Sequence, residues 1–339
     1  MDLKKINNIV KHFLPNEDVI AFSINNKGLI NQTFVVSVGK LNTKQYILQS
    51  INTVILSLFD KALENIILVK NRLENTKFPY YFPTPILEKY VHVYEETWRM
   101  LPFVEDSFCY EEVKDKEQAF EAAKCIGSFY KSLHNFDAKQ LYNTFPNFHN
   151  GAFRLSELEK AINTADKDRK NFAKGLIQKI KNSRDVLKRF DLLNTELPIR
   201  VVHFDPKINN FLFDKKTNNA KAIIDLDTLM PGTALSDIGD MIRSFSNYLG
   251  EESKNIDYVK ADFEVIQNII DGFLSSCKNV LTNKEKDNLL FSGKAITLLQ
   301  CIRFLTDYLN NDNYYKITYS EQNLIRAKNQ WALYYSLKG

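Results

Sequence analysis

The feature that most narrows the possible folds is a short β-like island, residues 199–227, set among segments with helical periodicity. Three apolar runs, Ile199 to His203, Phe211 to Phe213 and Ala222 to Asp225, read as short strands. Such strands place the polar residues between them on loops at strand ends, where chemistry is usually found. Those residues form a pattern. His203-Phe204-Asp205-Pro206-Lys207-Ile208-Asn209-Asn210 has the form H-x-D-x-x-x-x-N, and Ile224-Asp225-Leu226-Asp227 follows at the next strand end.

A carboxylate, an amide five residues on and a second acidic strand end make the set that phosphoryl transfer requires. The protein contributes little covalent chemistry to that reaction; it orients and deprotonates the acceptor hydroxyl and holds magnesium against a triphosphate. Magnesium prefers hard oxygen donors and keeps several waters, so one or two carboxylates and an amide oxygen suffice. Asp205 fits the base, Asn210 the amide ligand and Asp225 the carboxylate ligand, and the spacing of Asp205 and Asn210 matches a kinase catalytic loop. Strand alternation puts Asp225 and Asp227 on one side, so Asp227 either approaches the cation or contacts substrate hydroxyls. His203 reads as a structural hydrogen-bonding residue. Asp237 reads as a brace for the catalytic loop or a helix cap. The alternative makes Asp205 and Asn210 turn residues of a hairpin, with Asp225 and Asp227 capping structure; the full set with its apolar flanks favours the chemical reading.

Around the island the chain divides in two. Residues 3–14 have helical spacing, with Leu3, Ile6, Ile9, Val10 and Phe13 apolar. Ile20 to Ile24, Thr33 to Val38 and Gln45 to Gln49 follow as three strands of an antiparallel meander, separated by turn residues. Phe59 to Leu73 returns to helical spacing and carries Glu64. Two more strands are expected around Pro85 to Tyr90 and Val93 to Leu101, ending at Pro102. From about Glu117 long helices dominate, among them Gln118 to Leu133, Leu155 to Ala161 and Phe172 to Phe190. The expected fold is therefore α+β and bilobal. A small antiparallel β-sheet lobe, residues 1–103, precedes a larger, mainly helical lobe, residues 104–339.

The charge is nearly balanced, with 45 basic and 41 acidic residues intermixed, which argues against a nucleic-acid binder. No uncharged apolar run approaches 18 residues, so no membrane span is expected. Cys109, Cys125, Cys277 and Cys301 form no C-x-x-C pair or zinc spacing, which fits a reduced, cytoplasmic setting. Neither a P-loop G-x-x-x-x-G-K-[ST] nor a dinucleotide-binding G-x-G-x-x-G occurs.

The motif segment resembles the aminoglycoside phosphotransferase and choline kinase superfamily, which has the protein-kinase-like fold. Within it the chain looks most like bacterial N-acetylhexosamine 1-kinases. The resemblance is carried by Gly28-Leu29-Ile30-Asn31-Gln32-Thr33, Tyr46 to Asn52, Trp98-Arg99, Ile224 to Gly232, and Ile302 to Leu309. It implies an ATP- and magnesium-dependent transfer to the anomeric hydroxyl of N-acetylglucosamine or N-acetylgalactosamine. The nucleotide would lie under the hairpin holding Gly28, Asn31 and Thr33, beside Gln49. The backbone from Met100 to Phe103, in a hinge spanning about 98–103, would receive the adenine. Asp205, Asp227, Arg303 and Tyr314 would face the sugar. No obligate protein partner is implied. Other acceptors of the superfamily (aminoglycoside, choline, ethanolamine or another amino-alcohol) and an inactive kinase-like binding protein are the rival readings. Two departures stand out: Gly28 is all that remains of a Gly-rich loop, and Gln49 stands where many kinases carry a phosphate-binding lysine. Glu64, that lysine's usual helix partner, is then at most a hydrogen-bonding partner of Gln49, or a solvated residue. Arg303 could alternatively pair with Asp307 one helical turn on.

Overall fold

The computed structural model describes residues 1–25, 31–39 and 42–337. Helix α1 (Leu3–Lys11) begins at Asp2, whose carboxylate accepts the Lys5 N–H at 2.8 Å as an N-cap. Ile6, Ile9 and Val10, three and four residues apart, share its buried face. Strands β1 (Val19–Asn25), β2 (Gln32–Val38) and β3 (Lys44–Ile51) form the expected meander. Helix α2 (Phe59–Asn75) follows, and β4 (Val91–Val93) and β5 (Glu96–Pro102) complete a five-stranded sheet in the order β1-β2-β3-β5-β4.

The two faces of this sheet differ. Phe34, Val36, Val38, Leu48, Trp98 and Met100 pack with α1 into one apolar cluster. Side chains alternate along a strand, so Thr33, Gln49 and Arg99 turn to the opposite face. The register sets these three side by side: Thr33 opposes Gln49 on β2–β3, and Gln49 opposes Arg99 on β3–β5. The strand expected over 85–90 is not formed. Pro83 and Pro85 withhold backbone donors there, and Ile86–Glu88 makes a tight turn with Leu87 and Glu88 at positive φ.

The second lobe starts with the short β6 (Ser107–Phe108) and the helices α3 (Lys116–Leu133), α4 (Gly151–Thr164), α5 (Lys167–Lys181) and α6 (Arg184–Glu196). The single helix expected over 172–190 is thus two helices, broken at Asn182-Ser183. Next come β7 (Arg200–Val202), β8 (Phe211–Asp214), β9 (Ala220–Ile223) and β10 (Met230–Gly232). They build a β6-β8-β9 sheet and a β7-β10 ladder, the island expected from the sequence. Helices α7 (Ala234–Phe245), α8 (Phe263–Cys277), α9 (Asn283–Asp287), α10 (Leu289–Leu309) and α11 (Gln322–Ser336) close the lobe.

Gly127 on α3 and Gly272 on α8 let those helices meet backbone to backbone; a Cβ on either would come within 2.3 Å of a carbonyl oxygen of the other. Helix α10 has the length and apolarity to cross a bilayer, but 72% of its most apolar window is buried among the other helices. It is the core helix of this lobe. The architecture is the bilobal, protein-kinase-like α+β arrangement, with the island facing the polar side of the sheet.

Candidate active site

The loop between β7 and β8 is held from several directions. Asp237, fully buried on α7, accepts the N–H groups of His203 at 3.0 Å and Phe204 at 2.7 Å, and the Tyr130 hydroxyl at 3.0 Å. Burial pushes its pKa up to about 6 against the lowering effect of these donors. Phe204 sits at φ +67°, a conformation uncommon for a bulky side chain. The Asp237 bonds and packing against Val202 and Met230 stabilise it there. The His203 imidazole spans two loops, with Nε2 3.0 Å from Ile224 O and Nδ1 accepting the Asp205 N–H at 3.3 Å. Its role is structural, as the sequence suggests.

This frame presents Asp205. Asn210 donates its amide N–H groups to Asp205 twice, to the backbone oxygen at 2.8 Å and to Oδ2 at 3.0 Å. Both hydrogens of the amide are thereby committed, and its oxygen is left for an electropositive partner. Lys207 Nζ also lies 3.0 Å from Asp205 Oδ2. Desolvation lowers the Lys207 pKa, but Asp205 and Asp225 outweigh it and hold it above the ordinary value.

The Ile224 N–H donates to Asn210 O at 2.9 Å, which joins the end of β9 to the catalytic loop and brings Asp225 beside Asn210. Asp225 opens to the cleft. The surrounding walls, then Asp227 and Asp205, push its pKa up to about 6. A carboxylate crowded by two others, beside an amide oxygen that no donor among the described residues takes up, is a donor set that fits a hard divalent cation. Asp225 and Asp227 do not lie on a strand, however. Asp225 is at φ +62° and Leu226–Thr228 is one turn of 3₁₀ helix, so the two side chains do not share a strand face.

Asp227 is consequently not open to a substrate. It is 4% exposed and paired with Arg99, itself 3% exposed. Both guanidinium Nη atoms donate to it, Nη2 to Oδ2 at 2.8 Å, and Asn31 Nδ2 adds a contact at 3.3 Å. Arg99 Nε donates to Gln49 Oε1 at 2.8 Å, and Gln49 Nε2 to Thr33 Oγ1 at 3.0 Å. Asn31, Thr33 and Gln49 thus meet on the polar face of the sheet. The Met100 side chain is in the apolar cluster behind the sheet and its Cα is in register with Leu48; the adenine contact expected of Met100 to Phe103 is one of the backbone. Phe103, by contrast, lies just past the end of β5. Gly28 lies outside the described residues. Glu64 is solvated and paired with Lys61, while the next residue, Asn65, turns inward and donates to Tyr142 O and Leu229 O, both at 2.8 Å.

Opposite the sheet, α10 carries Arg303. Its guanidinium lies 4.6 Å from the centre of the Phe148 ring and donates to Gln300 Oε1 at 2.9 Å. No carboxylate of the described residues pairs with it. Asp307 instead accepts the N–H groups of Tyr314 and Tyr315 and the Asn323 amide. Tyr314 is 45% exposed, its ring against Tyr315. His149 packs against Phe148 and Phe204, and its Nδ1 has no partner among the described residues. Burial, then Arg303 and Arg154, hold its pKa well below the usual range, so it is neutral. Asp240, buried, binds Arg243 through Oδ1 at 2.6 Å, and its Oδ2 has no partner among the described residues.

Sequence reasoning misses Arg99, Lys207, Asn65 and His149 as site residues. Arg99 is legible from cross-strand register, and Lys207 from its place two residues after Asp205. An asparagine among the inward positions of α2 also marks Asn65. Nothing local marks His149, whose position depends on the packing of α4 and the catalytic loop.

A family model described as the phosphotransferase enzyme family matches residues 22–256. A spectinomycin phosphotransferase solved with ADP and spectinomycin aligns over 98% of this chain and 96% of its own, with TM-score 0.61 and 13% identity. A choline kinase from Cryptosporidium parvum Iowa II aligns over 99% and 95%, with TM-score 0.54 and 17% identity. A Plasmodium vivax ethanolamine kinase aligns over 91% and 81%, with TM-score 0.59 and 15% identity. At these identities the likeness to the solved structures is one of fold.

Proposed function

The chain belongs to the phosphotransferase enzyme family, and from that premise we propose that it transfers the terminal phosphoryl group of ATP to a hydroxyl of a small molecule. The observation that carries this reading is the double hydrogen bond from Asn210 to Asp205, which fixes a base and leaves an amide oxygen beside Asp225. Asp205 accepts the proton of the acceptor hydroxyl as its oxygen bonds to phosphorus and the bond to ADP breaks. Lys207, beside the base, stabilises charge on the transferred group. Magnesium held by Asn210 and Asp225 would supply charge compensation on the triphosphate. Asn31, Thr33 and Gln49 line the nucleotide side, with the backbone from Met100 to Phe103 as the adenine hinge.

For the acceptor, we favour the anomeric hydroxyl of N-acetylglucosamine or N-acetylgalactosamine, giving the sugar 1-phosphate. Support comes from the resemblance in the segments around the motif and from Arg303, a cation near Asp205 without a carboxylate partner among the described residues. Such a group suits a neutral acceptor rich in oxygen acceptors. Tyr314 stands at the rim of the same wall. The second reading is a cationic acceptor such as an aminoglycoside, choline or ethanolamine. The Oδ2 of Asp240, without a partner among the described residues, favours it, because it offers a cationic acceptor a hydrogen-bond acceptor.

ADP release in the presence of ATP, magnesium and a panel of sugars and amino-alcohols tests these readings. Turnover confined to N-acetylhexosamines is the expected result. Turnover on amino-alcohols alone would move the acceptor to the second reading, and nucleotide binding without turnover on any acceptor would indicate an inactive kinase-like protein.

A further inference from the structure

Gln49 poses a problem for any kinase reading. A neutral amide occupies the strand position where a lysine ordinarily neutralises phosphate charge, and Glu64 is not turned toward it. The register of the sheet accounts for the glutamine, though not for that charge. Arg99 stands directly opposite Gln49 on β5, on the same polar face, and its Nε donates to the Gln49 amide oxygen at 2.8 Å. The Gln49 amide nitrogen donates in turn to Thr33, so the amide has an acceptor turned to the guanidinium and a donor turned to the hydroxyl. A lysine at position 49 would set an ammonium against that guanidinium. The glutamine is what the arginine next to it requires.

The remaining guanidinium donors do not point to open space. They clasp Asp227, two residues past Asp225, in a bidentate pair that Asn31 supports. Asn31 is fixed by accepting the Asn52 N–H at 3.0 Å. The same short loop is held by Thr228, whose hydroxyl donates to His203 O at 2.6 Å, and by Asn65 at Leu229 O. These bonds from the sheet and α2 thus converge on the loop that carries Asp225, and Asp225 itself is left open to the cleft.

We propose that Arg99 and Asp227 form a positioning pair that ties the polar face of the β-sheet to the Asp225 loop, the cation of this face standing on the fifth strand rather than the third. The pair acts through the loop rather than on phosphate: it sets the height and direction of the Asp225 carboxylate relative to Asn210. This rests on the kinase reading given above, since it assigns the loop to a magnesium–nucleotide complex. A buried ion pair could also serve only to hold the lobes together, and the two roles differ in what they move. A positioning role alters the magnesium dependence of nucleotide binding; a purely structural one lowers thermal stability and leaves that dependence unchanged.

The test compares the wild type with Gln49→Lys, Arg99→Met, Arg99→Lys, Asp227→Asn and the double variant Gln49→Lys/Arg99→Met. The readouts are ADP affinity titrated against magnesium and the melting temperature without ligand. Loss of a group that orients a metal ligand commonly weakens metal affinity about ten- to a hundredfold. Arg99→Met and Asp227→Asn should show a loss of that order in the magnesium dependence, with magnesium-free ADP binding within about threefold of wild type. Arg99→Lys should recover part of it, because it keeps the charge without the fork. Gln49→Lys, although it restores the residue usual in kinases, should weaken binding, and the double variant should bind better than Gln49→Lys alone. Unchanged magnesium dependence in folded Arg99 variants overturns the proposal, as does Gln49→Lys binding at least as well as wild type. Should Arg99→Met fail to fold, Arg99→Lys and Gln49→Lys decide between the two roles in its place. A wild type that binds no ADP with magnesium removes the kinase reading itself, and the positioning role with it; normal wild-type binding with unaltered variants removes only the latter.

Discussion

The catalytic loop and the wall that faces it are built on opposite terms. In the loop, the Asp237 carboxylate, the His203 ring and the Asn210 amide nitrogen are all satisfied by the chain itself. The Asp205 carboxylate is oriented by them and open on one side. Asn209 Oδ1 is the one buried side-chain polar atom of this loop without a partner among the described residues, whereas more is left over on the facing wall: Arg303 lacks a carboxylate partner among the described residues, and His149 Nδ1 and Asp240 Oδ2 lack hydrogen-bond partners there. Buried polar atoms without partners are uncommon, because each one costs about 1–3 kcal/mol in desolvation. A fixed loop suits chemistry that must happen in one geometry. A wall with unmet polar groups suits recognition, where the ligand supplies the missing partners. Substitutions in the loop should therefore act on rate or on folding, and substitutions in the wall on acceptor affinity.

The largest expected effect is on the loop. Asp205→Asn keeps the size of the side chain and can still contact the Asn210 amide, but it cannot take a proton at neutral pH. General-base contributions run from about a hundred- to ten-thousandfold, so the rate of phosphoryl transfer should fall by that order. Single-turnover ADP release on the acceptor found by the panel measures it, with nucleotide affinity expected within about threefold of wild type. A full rate would remove Asp205 as the base and, with it, the contrast between the two regions.

Asp237→Asn comes next, and it tests the frame beneath the base. The variant turns an amide NH₂ toward backbone N–H groups of His203 and Phe204 that now have a carboxylate. Leaving such buried donors unmet costs about 3 kcal/mol, visible as a lower denaturation midpoint. The pH dependence has a definite sign. The folded pKa of Asp237 is raised to about 6 from 3.8, so the fold favours its protonated form. Its contribution is fully present below the unfolded value and is lost as pH rises through about 6. The stability difference between wild type and Asp237→Asn should thus be larger at pH 5 than at pH 7.5, measured by chemical denaturation at both. A difference independent of pH over that window would mean that Asp237 keeps its charge in the fold.

How much of this is written in the sequence differs between the two regions for a physical reason. The loop residues lie within one local run whose strand–turn–strand form fixes their relation, so spacing alone groups Asp205 with Asn210. Asp227 marks the limit of that method. Two residues after Asp225 it would share a face on a strand, but the backbone leaves the extended conformation at Asp225, and Asp227 turns to Arg99 instead. The sheet's polar face is half legible. Alternation separates Gln49 and Thr33 from Leu48 and Phe34, but opposing Arg99 to Gln49 requires β3 to pair with β5 in one register, which depends on the whole lobe. The wall is least legible, because His149, Asp240 and Arg303 come from α7, α10 and the turn before α4. Parity on β5 puts the Met100 side chain behind the sheet, while the hinge expectation for Met100 to Phe103 concerns the backbone.

The smallest expected effect tests the wall. Arg303→Gln keeps a hydrogen-bond donor and removes the charge and the contact with the Phe148 ring. If the wall only recognises the acceptor, the change raises KM for the acceptor and leaves kcat nearly as it was, the signature of binding energy expressed equally in the ground and transition states. One hydrogen bond to a charged donor is worth about 1.5–3 kcal/mol, which corresponds to a KM about ten- to a hundredfold higher. The side chain stacks on a ring and carries no ion pair among the described residues, so the melting temperature should hardly move. A fall in kcat at constant KM would place Arg303 with the reacting groups and erase the division between the two regions. A lower KM for an amino-alcohol on removal of this charge would show that Asp240, not Arg303, faces the acceptor.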